Sequence, residues 1–407
     1  MISFQEAKTI INKNIFQLRP EKVDLVQAGG RVLAQDIMAS FPSPIFDNSA
    51  MDGFAVRFED TQGASVKNPV TLKMVSISSA GTPSNMFLNP GECIQCMTGA
   101  QIPEGANSIV MVEDSSGFSD SDTVQIMIET SKGKHIRKMG EEIQNGESLI
   151  ENGRTLSPSE IGAIATFGYG EIVVSKKPKV AIFGTGDELI EPGEDLGEGQ
   201  IYNSNLYVFK ELVDKVGGEV LMQDVIKDDK NSLRDFLSRA LETCDIIISS
   251  GGVSMGRYDY VRDVFIELGV IEHFWKVAQK PGKPLFFGTG DSALIFGLPG
   301  NPVSSYIGFI EWVYPVIETM MGKQETKKVK AILKAPFPRE KMKHRFLFGE
   351  VWIEDGQLVC QPSKKVGSHM LSSSLQANCI LGAMEADSPL QPGESIEINL
   401  LPWKAIK

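Results

Sequence analysis

The stretch KVAIFGTGDEL, residues 179–189, runs four consecutive apolar residues into Gly184-Thr185-Gly186 and then two acids. A short strand that is apolar on both faces is buried on both, which is the pattern of a parallel strand inside an α/β layer. The segment NSNLYVFKELVDKVGG then places Leu206, Phe209, Leu212, Val213 and Val216 on one helical face and stops at Gly217-Gly218. The alternation recurs. GEVLMQDVI reads as a strand, NSLRDFLSRALETC as a helix, CDIIISSGG as a strand entering a second glycine turn and YDYVRDVFIELG as a helix. Strands follow in PLFFGTG and SALIFGLPG, then the helix SSYIGFIEWVYPVIETMM. Alternation of this kind predicts a doubly wound, mostly parallel sheet with helices on both faces.

Outward from this core the character changes. Ser3 and Glu6 form a capping box for a first helix carrying Phe4, Ala7, Ile10, Ile11, Ile15 and Leu18 at helical spacing and ending near Arg19-Pro20. FPSPIFDNSAMDGFAVR, from Phe41, packs Pro, Asp-Asn-Ser and Asp-Gly together and predicts a functional loop. Residues 68–150 alternate apolar and polar between turn residues, predicting an all-β region of short antiparallel strands. Past Lys330 the pattern is again strand-like, predicting a small C-terminal β-domain.

The 407 residues carry 40 Lys and Arg against 52 Asp and Glu, a net charge of −12 with no basic tract, which argues against general nucleic-acid binding. Without a membrane-length apolar run, and with a start that lacks a leader pattern, the chain is expected to be cytoplasmic. Cys93, Cys96, Cys244, Cys360 and Cys379 are too few and odd in number for a disulfide scaffold and read as free thiols.

Ligands of open α/β sheets bind beyond the carboxyl ends of the strands, where glycines admit backbone N–H groups to phosphate. Three loops fit: 184–189 with Asp187 and Glu188, 249–256 followed by Asp259, and 297–305. In the last, Asn301 is expected to cap a helix that Pro302 begins, which makes Ser304 and its neighbouring N–H groups an anion seat. A single such loop equally well only turns the chain; three in one domain favour a crevice. Lys276, Lys280 and Lys283 lie in or beside a rigid Pro-Gly frame that suits an oxyanion. Acids opposite lysines is the pattern of metal-assisted phosphoryl or nucleotidyl chemistry, with Mg²⁺ on the acids. The Cys93-x-x-Cys96 pair lies in a strand-like run without a second pair, which supports neither zinc nor redox chemistry. Of the four scattered histidines only His369 stands in a suggestive motif, and no Walker A, G-x-G-x-x-G or G-x-S-x-G occurs.

Taken in order, FDNSAMDGFAVR (46–57), CMTGAQIPEGA (96–106), MGEEI (139–143), GTGDEL (184–189), SSGGVSMGRYDY (249–260), KPGKP (280–284), GLPGNPVSS (297–305) and GSHMLSS (367–373) resemble the molybdopterin molybdenumtransferases, the MoeA proteins and the gephyrin E-domain. The resemblance covers essentially the whole chain. It implies insertion of molybdate into adenylylated molybdopterin, giving molybdenum cofactor and AMP with Mg²⁺ assisting. It also implies an elongated multidomain homodimer. Residues 1–26 and 177–326 would form the α/β molybdopterin-binding domain and 27–45 with 146–176 a linking β/α domain. Residues 46–145 would form an inserted β-domain and 327–407 a C-terminal β-barrel-like domain.

Carried over by motif, Gly184, Thr185, Gly186, Asp187, Ser250, Gly251, Gly252, Ser254, Pro299 and Asn301 would bind the pterin nucleotide. Lys280, Lys283, Ser304, Arg345 and Ser368 would bind molybdate, and Asp187, Glu188 and Asp259 the Mg²⁺. Asp52, Thr98, Glu142, Glu188, Asp228, Asp259, Lys276 and Lys280 would act in catalysis, Asp52 and Thr98 reaching the site across the dimer. The adjacent Asp229 leaves the Asp228 alignment open by one position, and Glu142 stands where many relatives have Asp. Implied partners are a molybdopterin adenylyltransferase and molybdoenzymes, with no nucleic acid and no membrane. Two other readings stay open: a related pterin or nucleotide adenylyltransferase or pyrophosphatase, and a gephyrin-like scaffold.

Overall fold

The computed structural model describes residues 1–227, 229–252, 260–323 and 329–406. Two compact units form: Met1–Gln35 with Asn152–Pro158 and Glu171–Lys407, and Asp36–Glu151 with Ser159–Gly170.

The first unit is built on a six-stranded sheet in the order Glu219–Ile226, Lys179–Thr185, Ile246–Ser250, Leu294–Leu298, Pro284–Thr289, Ile271–Lys276. The first four strands are parallel and the last two pairings antiparallel. The sequence pattern did not separate these two parts, but connection length does. Four residues, 290–293, join Pro284–Thr289 to Leu294–Leu298, too few for the dozen or more that a parallel crossover needs. Gly184 pairs with Ser250 and Ser250 with Leu298, so the three glycine loops leave the sheet at one level.

Successive residues of Lys179–Thr185 face opposite ways. Val180 and Ile182 pack under the helices Phe4–Asn14, Asn205–Val216 and the long 302–320 segment; Ala181 and Phe183 pack under Lys230–Thr243 and Tyr260–Glu267. All four are completely buried, which is why the run had to be apolar throughout. The first helix keeps its Ser3–Glu6 capping box but ends at Asn14, with Ile15 already extended, because Pro20–Asp24 is needed as a strand against Glu171–Ser175. The 302–320 segment widens to a π-helix over Phe309–Val313 just before Pro315, whose ring nitrogen has no hydrogen to donate.

The C-terminal strands close on themselves. His344–Glu354, Gln357–Pro362, Val329–Leu333, Ser395–Leu400 and Cys379–Ala383 pair in that order, and the last returns to the first, giving a five-stranded barrel around Leu347, Leu381 and Ile398. The two-residue strand Gln279–Lys280, from the α/β part, pairs in parallel with His344–Arg345 on its outside.

The second unit carries a five-stranded sheet ordered Ser108–Met111, Gly53–Val56, Glu92–Cys96, Val70–Ser78, Thr123–Ile126. The expectation of purely antiparallel strands fails at one place: Val70–Ser78 and Glu92–Cys96 run parallel. The connecting residues 79–91 are long enough to return the chain to the same end. Cys93 and Cys96 pack in different apolar clusters on either side of this sheet, so the C-x-x-C thiols do not converge. Among the described residues no helix is long and apolar enough to cross a membrane.

Candidate active site

The three loops at the carboxyl edge of the parallel strands touch one another. Asn205, at the start of its helix, donates from Nδ2 to Ser250 Oγ and to Gly300 O, both at 2.7 Å, tying the second loop to the third. Gly251 N donates to Leu298 O at 3.0 Å. Gly252 has φ +69°, and a Cβ there would sit 2.3 Å from Val261 Cγ2 and 2.8 Å from Thr185 Oγ1, so only glycine fits. In the first loop the Glu188 carboxylate folds back over Gly186, while Asp187 and Glu188 remain exposed. Asp228, Ser254 and Asp259 lie outside the described residues.

Asn301 occupies the N-cap position ahead of Pro302, yet its side chain makes no capping bond. A cap accepts from the N2 or N3 amide, and the N2 amide, Val303 N, instead donates to Ser368 O of the C-terminal part at 3.0 Å. The expected cap is therefore replaced by a link between two loops, and Asn301 lines the cavity with Pro299.

That cavity, about 520 Å³, lies between the third loop, the Lys280–Pro284 turn and the barrel. Lys280, Lys283, Lys343 and Arg345 line it together with the buried Ser304 and with Ser368. The pairing of Lys280 with Arg345 across the two-residue strand makes these cations neighbours. Gln279 fixes the turn: its Nε2 donates to Gly282 O at 2.8 Å, and its Oε1 accepts from Trp312 Nε1 at 3.0 Å. Arg345 is only 6% exposed, and its Nε has no hydrogen-bond partner among the described residues. Burial pulls its pKa below the ordinary guanidinium value, against the opposing effect of Glu340. Glu340 Oε1 lies 2.6 Å from Lys280 Nζ and 3.6 Å from Arg345 Nη1, and the Lys280 contact holds its carboxyl below the usual range. Four bases around one cavity make a seat for a small, highly charged oxyanion.

Lys276 Nζ lies 4.3 Å from the centroid of the Trp275 ring, on a strand residue paired with Pro284. Asp52, Thr98 and Glu142 belong to the second unit. There Asp52 Oδ1 accepts from Thr98 N and Oγ1 at 2.7 and 2.8 Å, bonds that hold its carboxyl low. Glu142 Oε2 accepts from Ser43 Oγ at 2.7 Å.

Sequence reasoning missed Asn205, Gln279, Glu340 and Lys343. The charged run Arg339-Glu340-Lys341-Met342-Lys343-His344-Arg345 at the head of a long strand was the available signal for the last two.

Exposed neighbouring carboxylates suit Mg²⁺, a hard ion that takes one or two carboxylates and completes its shell with water and phosphate oxygens. Asp187 and Glu188 offer that donor set. Among the described residues no group of three or more His, Cys, Asp or Glu side chains converges as a metal site.

Three family profiles match in succession: "MoeA N-terminal region (domain I and II)" over residues 2–168, "Probable molybdopterin binding domain" over 181–319 and "MoeA C-terminal region (domain IV)" over 330–401. A molybdopterin molybdenumtransferase of Haemophilus influenzae is 32% identical over 404 residues, 98% of each chain. One of Staphylococcus aureus strain Mu50 is 33% identical over 380 residues, 93% of this chain and 90% of the relative. The crystal structure of a molybdopterin biosynthesis MoeA protein from Pyrococcus horikoshii superposes with a TM-score of 0.83 at 30% identity, covering 98% of this chain and 99% of that one.

Proposed function

We propose, because this chain belongs to the MoeA family, that it is a molybdopterin molybdenumtransferase: an enzyme of molybdenum cofactor biosynthesis that inserts molybdate into adenylylated molybdopterin and releases AMP. The observation that carries the reading is the cavity whose Lys280, Lys283 and Arg345 stand beside the hydroxyls of Ser304 and Ser368, at the edge of a three-loop crevice. A tetrahedral dianion needs fixed cations and hydroxyl donors on several sides, and these residues supply both.

The loops around Gly184–Gly186 and Ser250–Gly252 receive the pterin nucleotide through backbone N–H groups, with Asn205 holding two of the loops in register. Lys280, Lys283 and Arg345 hold the oxyanion close to where the dithiolene sulfurs would arrive, so two reactants meet already oriented. Asp187, Glu188 and Asp259 would hold Mg²⁺, which when bound neutralises charge on the phosphoanhydride whose cleavage releases AMP. In a cytoplasmic homodimer Asp52 and Thr98 would complete the site from the second copy. Glu142 would serve as the family's acid with one methylene more. An adenylyltransferase supplies the substrate and molybdoenzymes take the product.

The test is AMP release from adenylylated molybdopterin and Mg²⁺, with and without molybdate. Molybdate-dependent release with active cofactor formed supports the transferase. Release indifferent to molybdate points to a pyrophosphatase, and no release in either case to a scaffold.

A further inference from the structure

Glu340 has no part in the roles above, yet its carboxylate touches two of the cavity's cations. It sits on a tight bend where Glu340 and Lys343 bridge and Ala386 N donates to Glu340 O, so its backbone is fixed. Its side chain is 33% exposed, so one face of it meets solvent. Its Oε1 engages Lys280 Nζ and approaches Arg345 Nη1, while Arg345 Nε stays buried without an acceptor. A buried guanidinium nitrogen without an acceptor is costly. The carboxylate therefore draws on two cations that line the anion seat, Lys280 above all, and leaves the Arg345 charge only partly compensated.

We propose that Glu340 is an internal competitor, a tethered carboxylate that holds the Lys280 ammonium and gives it up when a tetrahedral dianion of the molybdate class takes the seat. The inference rests on the molybdate reading of this cavity. It also assigns Glu340 a selective role. A dianion with four oxygens engages Lys280 and the Arg345 guanidinium together and outcompetes a single carboxylate; a monoanion such as nitrate offers less charge and is held out. Discrimination then comes from a built-in repulsive element as well as from the attractive one. The charged groups facing Glu340 are Lys280, Lys343 and Arg345, all basic.

The experiment is calorimetric titration of the full chain with molybdate, sulfate and nitrate, in wild type, Glu340→Gln and Glu340→Ala. Glu340→Gln keeps the size and removes the charge, and it is expected to tighten molybdate and sulfate binding by about fivefold, the scale of one partly exposed charge contact, and to admit nitrate. In Glu340→Ala, added acetate is expected to return molybdate affinity toward the wild-type value, a rescue that a structural role does not produce. Molybdate affinity unchanged or weaker in both variants, with wild-type binding intact, overturns the inference alone. No molybdate binding by any of the three proteins removes the oxyanion reading of the cavity and the inference with it.

Discussion

Replacing Gln279 with methionine tests how the oxyanion turn is held. Gln279 is 2% exposed and makes two bonds, accepting from Trp312 Nε1 and donating to Gly282 O. Methionine nearly preserves length and volume, so little cavity is created, and the loss is polar. Trp312 is itself 2% exposed; leaving its N–H buried and unpaired costs about 1–3 kcal/mol, and the second bond, to a buried carbonyl, adds about 1 kcal/mol. The sum, roughly 2–4 kcal/mol, lowers the melting temperature of the unit containing the site by about 5 °C. Near-UV circular dichroism during a thermal scan reads the change, since Trp312 lies in the core concerned. A second effect accompanies the first: with the turn released, Lys280 and Lys283 lose their fixed placement, and the KM for molybdate rises more than kcat falls. A variant that melts with the wild type and keeps its molybdate KM refutes the reasoning.

Arg345→Ala removes a buried cation and is expected to weaken molybdate binding by more than about 30-fold, while Lys283→Ala, at an exposed position, costs about fivefold. Calorimetry with adenylylated molybdopterin should give near wild-type affinity for both, and equal loss of both ligands would sink the division of labour. Gly252→Ala forces a left-handed residue and a clash with Val261, a destabilisation of about 1–3 kcal/mol, with pterin nucleotide binding lost in an equilibrium titration. Gly162→Ala, in the helix Pro158–Thr166 with nothing within 4 Å of the added methyl, is the contrasting control and stabilises by about 0.4–1 kcal/mol. The buried thiols of Cys93 and Cys360 are pushed up to about 12 and that of Cys96 to about 11 by desolvation, from 9.0 when unfolded. Above pH 9 the unfolded chain therefore holds fewer protons, and stability falls between pH 9 and 12. Cysteine-to-alanine variants should lose part of that alkaline slope in urea titrations; an identical slope would contradict the burial argument.

Most of the fold was legible because burial on two faces and burial on one leave different periods. The apolar Val180–Phe183 run could only be sandwiched, and the helical faces at Leu206–Val216 and Leu233–Ala240 supplied the cover. Direction of pairing was less legible: apolar pattern is blind to whether Pro284–Thr289 runs with or against its neighbour, and only the short connections at 290–293 decide it. At the site, glycine loops and the Lys-Pro-Gly-Lys frame announced themselves because backbone constraint leaves a compositional trace. Gln279 and Asn205 left none. Their roles arise from distant partners, Trp312 and Gly300, which a linear pattern does not bring together. Glu340 was hidden among alternating charges of a type that is usually solvated, and only the pairing of Lys280 with Arg345 brings two cations of the cavity to it.

That two-residue pairing makes the anion seat a property of the joint rather than of either part. Lys280 comes from the α/β part and Arg345 from the barrel, so neither, cut apart, retains the pair. Linkage then runs in both directions: an anion that binds only the joined form holds the parts together, contributing about 2.7 kcal/mol at a concentration of one hundred times its Kd. On the proposed reading the cargo would act as a clasp on the architecture that captures it, and protein given molybdate is expected to resist separation of the barrel from the sheet more than protein without it.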